Sequence, residues 1–232
     1  MDQSTVVSII FLVIAIVVLM RLGSVLGRRT GNEPSPYDTQ MNRTGAPSGR
    51  DNVVQLPGRN QNAERGGDEI DLENLARYAE PDTPLFEGLK DIAAHDRSFD
   101  PEGFLNGARL AYEMIVTAFA EGNKTQLKSL LEPDVYDGFV AAIKDRAQRG
   151  ERIDSTFVGI ESAKLTDAEV DGSTARLSVR FVSELISATR NKAGAVIDGD
   201  PDASQTVRDV WTFTRDLKSR DPNWKLAATE AV

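Results

Sequence analysis

The sequence predicts an α+β fold in which a group of helices packs on a curved, four-stranded antiparallel sheet, behind an N-terminal transmembrane helix and a disordered linker. Three observations predict it. From Leu72 to Gly150 the apolar residues recur at helical spacing, and beyond Gly150 they alternate at strand spacing. Helices first and strands afterwards place the helices on one face of an antiparallel sheet, since a parallel sheet would interleave the two. Ahead of both, residues 6–20 are apolar at fourteen of fifteen positions.

That apolar run includes Val6, Ile10, Phe11, Ile14, Val18 and Met20. Residues 5–26 reach roughly 33 Å as a helix, enough to cross a hydrocarbon core. Arg21 lies one turn from its end, where its stem lets the charge rise to the head groups. No Lys or Arg precedes the run, and LGSVLGRR after it is a poor cleavage site, so an uncleaved anchor is favoured over a secretory signal. Arg21, Arg28 and Arg29 all flank its C-terminal side. The positive-inside bias then holds that side in the cytoplasm, and membrane lipids become the anchor's first partner.

Residues 1–29 form the anchor and its basic flank. Residues 30–67 are rich in Gly, Pro, Asn and Arg with few apolar residues, and they predict a disordered tether spanning on the order of 35 Å. Val53, Val54 and Leu56 are its one apolar patch, either a place for a partner to dock or a hydrophobic accident of the linker. Residues 68–98 predict N-terminal helices and residues 99–232 the main domain.

The chain of 232 residues has net charge −9, while residues 1–67 carry seven arginines against five carboxylates. The remainder therefore holds −11. Such a domain is repelled by anionic lipid and has no basic footprint for nucleic acid. The chain has no cysteine and one histidine, which excludes disulfides, thiolate metal sites, cysteine nucleophiles and a His-rich metal centre.

Within the domain, residues 69–78 predict a short helix and residues 85–97 a second, before the strongest one. Asp100 caps it, Pro101 occupies its first turn, and Phe104, Ala108, Tyr112, Ile115 and Phe119 form a stripe that Gly122 ends. Asn123 caps a shorter piece, and Pro133 opens a helix carrying Phe139 that stops at Gly150. Strands are predicted over residues 156–165, 175–181, 206–217 and 224–229, with a turn at Asp171 and Gly172. Residues 191–204 read as a loop or a long hairpin end.

One strand places Val207, Asp209, Trp211 and Phe213 on the same face, so a carboxylate stands among aromatics. It is either a pocket acid of raised pKa or a paired charge, with Arg180, Arg208 and Arg215 as partners. Trp211 and Trp224 either meet in the core or help line a cavity. That candidate apolar pocket takes Phe181, Asp209, Trp211 and Phe213 from the strands and Tyr112, Ile115, Phe119 and Phe139 from the helices. His95 reads as a helix-end residue. No carboxylate pair, phosphate loop, nucleophile elbow or metal cluster stands out, so no cofactor and no catalytic residue are expected.

Residues 100–232 resemble the Tim44-like domain family, in particular its alphaproteobacterial TimA group of adaptors. The resemblance rests on Phe104-Leu105-Asn106-Gly107-Ala108, Tyr112-Glu113-Met114-Ile115 and Leu131-Glu132-Pro133, and more specifically on Asp209-Val210-Trp211-Thr212-Phe213 and Asp221-Pro222-Asn223-Trp224-Lys225-Leu226. It implies a non-enzymatic domain of cystatin-like or NTF2-like shape with an apolar pocket for lipid or peptide. It further implies an adaptor on the cytoplasmic face of the bacterial inner membrane, with translocation machinery or a chaperone as protein partner. Lipid or ribosome binding, and an enzyme using an NTF2-like pocket, are the alternatives.

Overall fold

The computed structural model describes residues 70–232. The predicted anchor, with Val6, Ile10, Phe11, Ile14, Val18, Met20, Arg21, Arg28 and Arg29, and the predicted linker lie outside the described residues. Among the described residues, no helix is long and apolar enough to cross a membrane.

Helices come first: α1 (Leu72–Leu75), α2 (Pro84–His95), α3 (Pro101–Glu121), α4 (Lys124–Leu130) and α5 (Pro133–Arg149). Side chains close their starts. Thr83 accepts from the Phe86 N–H, Asp100 from those of Glu102 and Gly103, and Asn123 from that of Gln126. Prolines 84, 101 and 133 stand in the first turns of α2, α3 and α5, where no helical N–H is lost. Gly122 and Gly150 end α3 and α5 in the left-handed conformation.

Four strands follow: β1 (Arg152–Asp171), β2 (Thr174–Arg190), β3 (Val196–Asp216) and β4 (Lys225–Ala231). They form one antiparallel sheet in the order β1-β2-β3-β4. Register shifts interrupt β1 against β2 at three places and β2 against β3 at two. Each increases local twist, which curves the long strands around the helices.

The core fills the concave side. Leu89 and Ile92 of α2, Tyr112 and Ile115 of α3, Leu177, Val179 and Phe181 of β2, and Phe213 of β3 are almost fully buried there. Gly88 lets α2 lie directly on β1, because a Cβ there would stand 1.9 Å from the Ala168 carbonyl oxygen. Arg215 on β3 pairs with Asp96 just past α2 and stacks over Trp224, tying the helical layer to the sheet.

Several element boundaries differ from the sequence expectation; the second strand, expected over residues 175–181, runs on to Arg190. The helix predicted over residues 69–78 is helical only at Leu72–Leu75. The first strand runs well past both ends of 156–165, because β2 offers partners from Arg152↔Arg190 to Asp171↔Thr174. Residues 196–204 form part of a strand despite Gly199 and Pro201, since β2 pairs as far as Arg190↔Val196. The loop chemistry shows instead as a register shift between Leu185 and Ser187, opposite which Pro201 to Ser204 are extra.

Candidate functional site

The inner face of β2 changes character along its length. Leu177, Val179 and Phe181 are followed on the same face by Ser183, Leu185, Ser187 and Thr189. Large apolar side chains give way to small hydroxyls, so the helix above cannot be met by equal bulk. Two features result: a sealed polar cluster and, beyond it, an open cleft.

The cluster is built on Tyr112 of α3. Its hydroxyl donates to Asp209 Oδ2 at 2.9 Å and lies 2.8 Å from Ser183 Oγ. Around it the rings of Phe181 and Trp211 approach to centroid distances of 4.7 and 4.4 Å. Asp209 is 6% exposed. Burial pushes its carboxyl up to about 6, with the Tyr112 hydrogen bond acting in the opposite direction. The same burial, reinforced by the Asp209 charge, pushes the Tyr112 phenol up. Among the described residues Asp209 forms no ion pair with Arg180, Arg208 or Arg215, and Arg215 pairs with Asp96.

The cleft lies between the C-terminal half of α3 and the far ends of the strands, with a volume of about 100 Å³. Val116, Phe119 and Ala120 form its helical wall, and Ile153, Leu185 and Val207 its apolar floor. Ser155, Ser187, Thr189, Gln205 and Asp198 add polar groups. Burial raises the Asp198 carboxyl, against the effect of the Gly199 amide that bonds to it. Gly199 has φ of 74°, and a Cβ there would stand 2.2 Å from the Ser187 carbonyl oxygen. Glycine therefore permits the close β2 to β3 approach at this wall.

Arg146 of α5 fixes the helical wall. Its guanidinium donates to the Phe119 and Ala120 carbonyls at 3.0 and 2.9 Å and lies over the Phe119 ring. A cation at the C-terminal carbonyls of α3 is favourable through the helix dipole. Phe139 meets Phe119 edge-on at 5.2 Å from the same helix.

A Tim44-like domain profile matches residues 85–231. The chain belongs to the Tim44-like family. The mouse mitochondrial import inner membrane translocase subunit TIM44 is 26% identical over 147 residues, covering 62% of this chain and 32% of that protein. The Rickettsia prowazekii (strain Madrid E) "Uncharacterized protein RP434" is 24% identical over 148 residues, 64% of this chain and 60% of the other. The chain thus spans about a third of the mouse relative's length. Among solved structures, the intermembrane space region of the chloroplast protein ARC6 covers 58% of this chain and 97% of its own, with 15% identity and a TM-score of 0.41.

In this Tim44-like domain the eight candidate pocket residues separate into two groups. Tyr112, Phe181, Asp209, Trp211 and Phe213 pack together, and Ile115 is buried beside them in the core. Phe119 lines the cleft, with Phe139 behind it. The two tryptophans stand apart: Trp211 meets Tyr112 and Phe181, while Trp224 meets Phe99 and Phe104 just before β4. His95 closes α2, its Nδ1 2.8 Å from the Asp91 carbonyl oxygen. Ser155, Leu185, Ser187, Thr189, Asp198 and Gln205 were not legible as cleft residues without the long register of β2 and β3. The sequence signal for the β2 wall is Ser183, Ser187 and Thr189 at alternate positions after Phe181, interrupted by Leu185.

Proposed function

We propose that this chain is a membrane-tethered, non-enzymatic adaptor whose Tim44-like domain binds protein partners at the cytoplasmic face of a bacterial inner membrane. Protein-translocation or membrane-biogenesis machinery is the partner class, with a chaperone as its narrower form. The observation that carries the reading is the separation of acid from opening. Asp209 is enclosed by Tyr112, Phe181 and Trp211, whereas the open cleft presents Val116, Phe119, Leu185 and Val207. An acid held away from the opening serves the core; an apolar opening with a few polar groups serves recognition.

Family membership supports the reading, and the mouse relative is named as a subunit of an import translocase. A photocrosslinking residue at Leu185 in native membranes tests it. Adducts with a defined set of proteins are expected, and a cleft that captures no protein overturns it. The apolar lining favours lipid as a second reading. Lipid recovered stoichiometrically from the purified chain, together with lipid-only adducts at Leu185, would decide for that alternative.

A further inference from the structure

The cleft has an acidic lip, half-buried at Asp198 and exposed at Asp200 and Asp202, and a partly covered apolar floor. Asp198 lies at the cleft, and Asp200 and Asp202 follow on the same arm of β3. None of the three forms an ion pair with another described residue. Ile153, Leu185, Val116 and Phe119 remain only partly covered. A compatible occupant has a short apolar stretch between positive charges.

One segment of this chain outside the described residues has that chemistry. In residues 50–59, of net charge +1, Arg50 and Arg59 bracket Val53, Val54 and Leu56, with Asp51 beside Arg50. Residues 28–67 carry six arginines against four carboxylates, opposite in sign to the −11 of residues 68–232. From Leu56 to Ile70 the intervening residues 57–69 extend to at most about 45 Å. A domain of this size is roughly 40 Å across. The connection is therefore long enough to bring the segment to the far side of the sheet, although chain proximity alone favours the near side. That near side is marked by Asn74, whose amide donates to Asp100 at the start of α3, away from the cleft, and by Ala168, where α2 lies against β1.

We infer that residues 53–56 occupy the cleft of their own domain, with Arg50 and Arg59 against the acidic lip, as a built-in competitor of whatever the cleft binds. Only the competition rests on the adaptor reading; the docking itself is tested without any client. Such a device couples client binding to release of the tether, so an occupied domain stands further from the anchor than an empty one.

The cysteine-free sequence makes the test direct. In the full chain in zwitterionic lipid nanodiscs, Gln55→Cys is combined with either Gln205→Cys at the cleft or Glu169→Cys near the opposite end of β1. Docking predicts intramolecular disulfide formation about tenfold faster at the cleft, although chain proximity alone favours Glu169. Leu56→Asp added to the cleft pair abolishes that advantage. Equal rates, faster closure at Glu169, or an advantage unchanged by Leu56→Asp overturns the inference. Disulfides between molecules that scale with concentration overturn it in favour of a second copy as occupant. If docking fails while Leu185 still captures proteins in native membranes, self-occupancy falls and the adaptor reading stands.

Discussion

Asp209 is where one side chain sets a measurable property of the whole fold. Its carboxyl is pushed up to about 6 from 3.8, so the folded state holds its proton more tightly than the unfolded chain. Its contribution to stability is full below about 3.8 and is lost as pH rises through about 6. At pH 7 the charged form costs about 3 kcal/mol relative to a group with no shift. Asp96, Asp100 and Asp154 have lowered pKa values and act with the opposite sign, losing stability as pH falls. The useful quantity is therefore the difference between wild type and Asp209→Asn. We expect the amide, which still accepts from Tyr112, to match or exceed wild-type stability at pH 7.5 and to lose that advantage by pH 4.5. Urea midpoints at the two pH values check it, and an Asn variant equally unstable at both rejects the assignment. Tyr112→Phe removes the donor to Asp209 and the acceptor of the Ser183 hydroxyl, and leaves both buried groups without that partner. A loss of about 1–3 kcal/mol is expected. Wild-type stability in that variant would mean that water replaces the hydroxyl at no net cost.

Between elements, the closest contact is α2 on β1. Gly88→Ala drives a methyl group into the Ala168 backbone, which cannot turn aside as a flexible side chain can. Overpacking of this kind costs about 1–3 kcal/mol, read as a lower thermal midpoint. Gly107→Ala is the control: the same added methyl meets nothing within 4 Å, and the gain in helix propensity makes it neutral or slightly stabilising. The difference was not visible in the sequence, where both are glycines inside helical segments. Local signals located α3 well, because Asp100, Pro101 and Gly122 are decided by the backbone within one turn. They failed at residues 196–204, where pairing with a distant strand decides the conformation against Gly199 and Pro201. The site followed the same division. Strand parity put Asp209, Trp211 and Phe213 together in advance, because alternation is local. Tyr112 as the partner of Asp209 was not legible, because the two stand 97 residues apart and only the packing of α3 on the sheet joins them.

At the scale of the whole molecule, the proposed membrane tethering raises the question of which part of the chain would supply it. Residues 68–232 carry −11, which opposes an anionic surface, and no described helix is long and apolar enough to span. On the proposed tethering, residues 6–20, apolar at fourteen of fifteen positions, supply the hold. Deleting residues 1–29 is expected to move the chain from the membrane pellet to the supernatant, whereas the intact chain stays in the pellet through a high-salt wash. Salt matters to the comparison because it weakens ionic attachment and leaves a hydrophobic span untouched. If the shortened chain still sediments with membranes and salt releases it, the hold is electrostatic and runs through a membrane protein, which moves the burden of localisation from the anchor to the partner. If it sediments and resists salt, the domain has an apolar membrane contact of its own, and the cleft becomes a lipid site before it is a docking site.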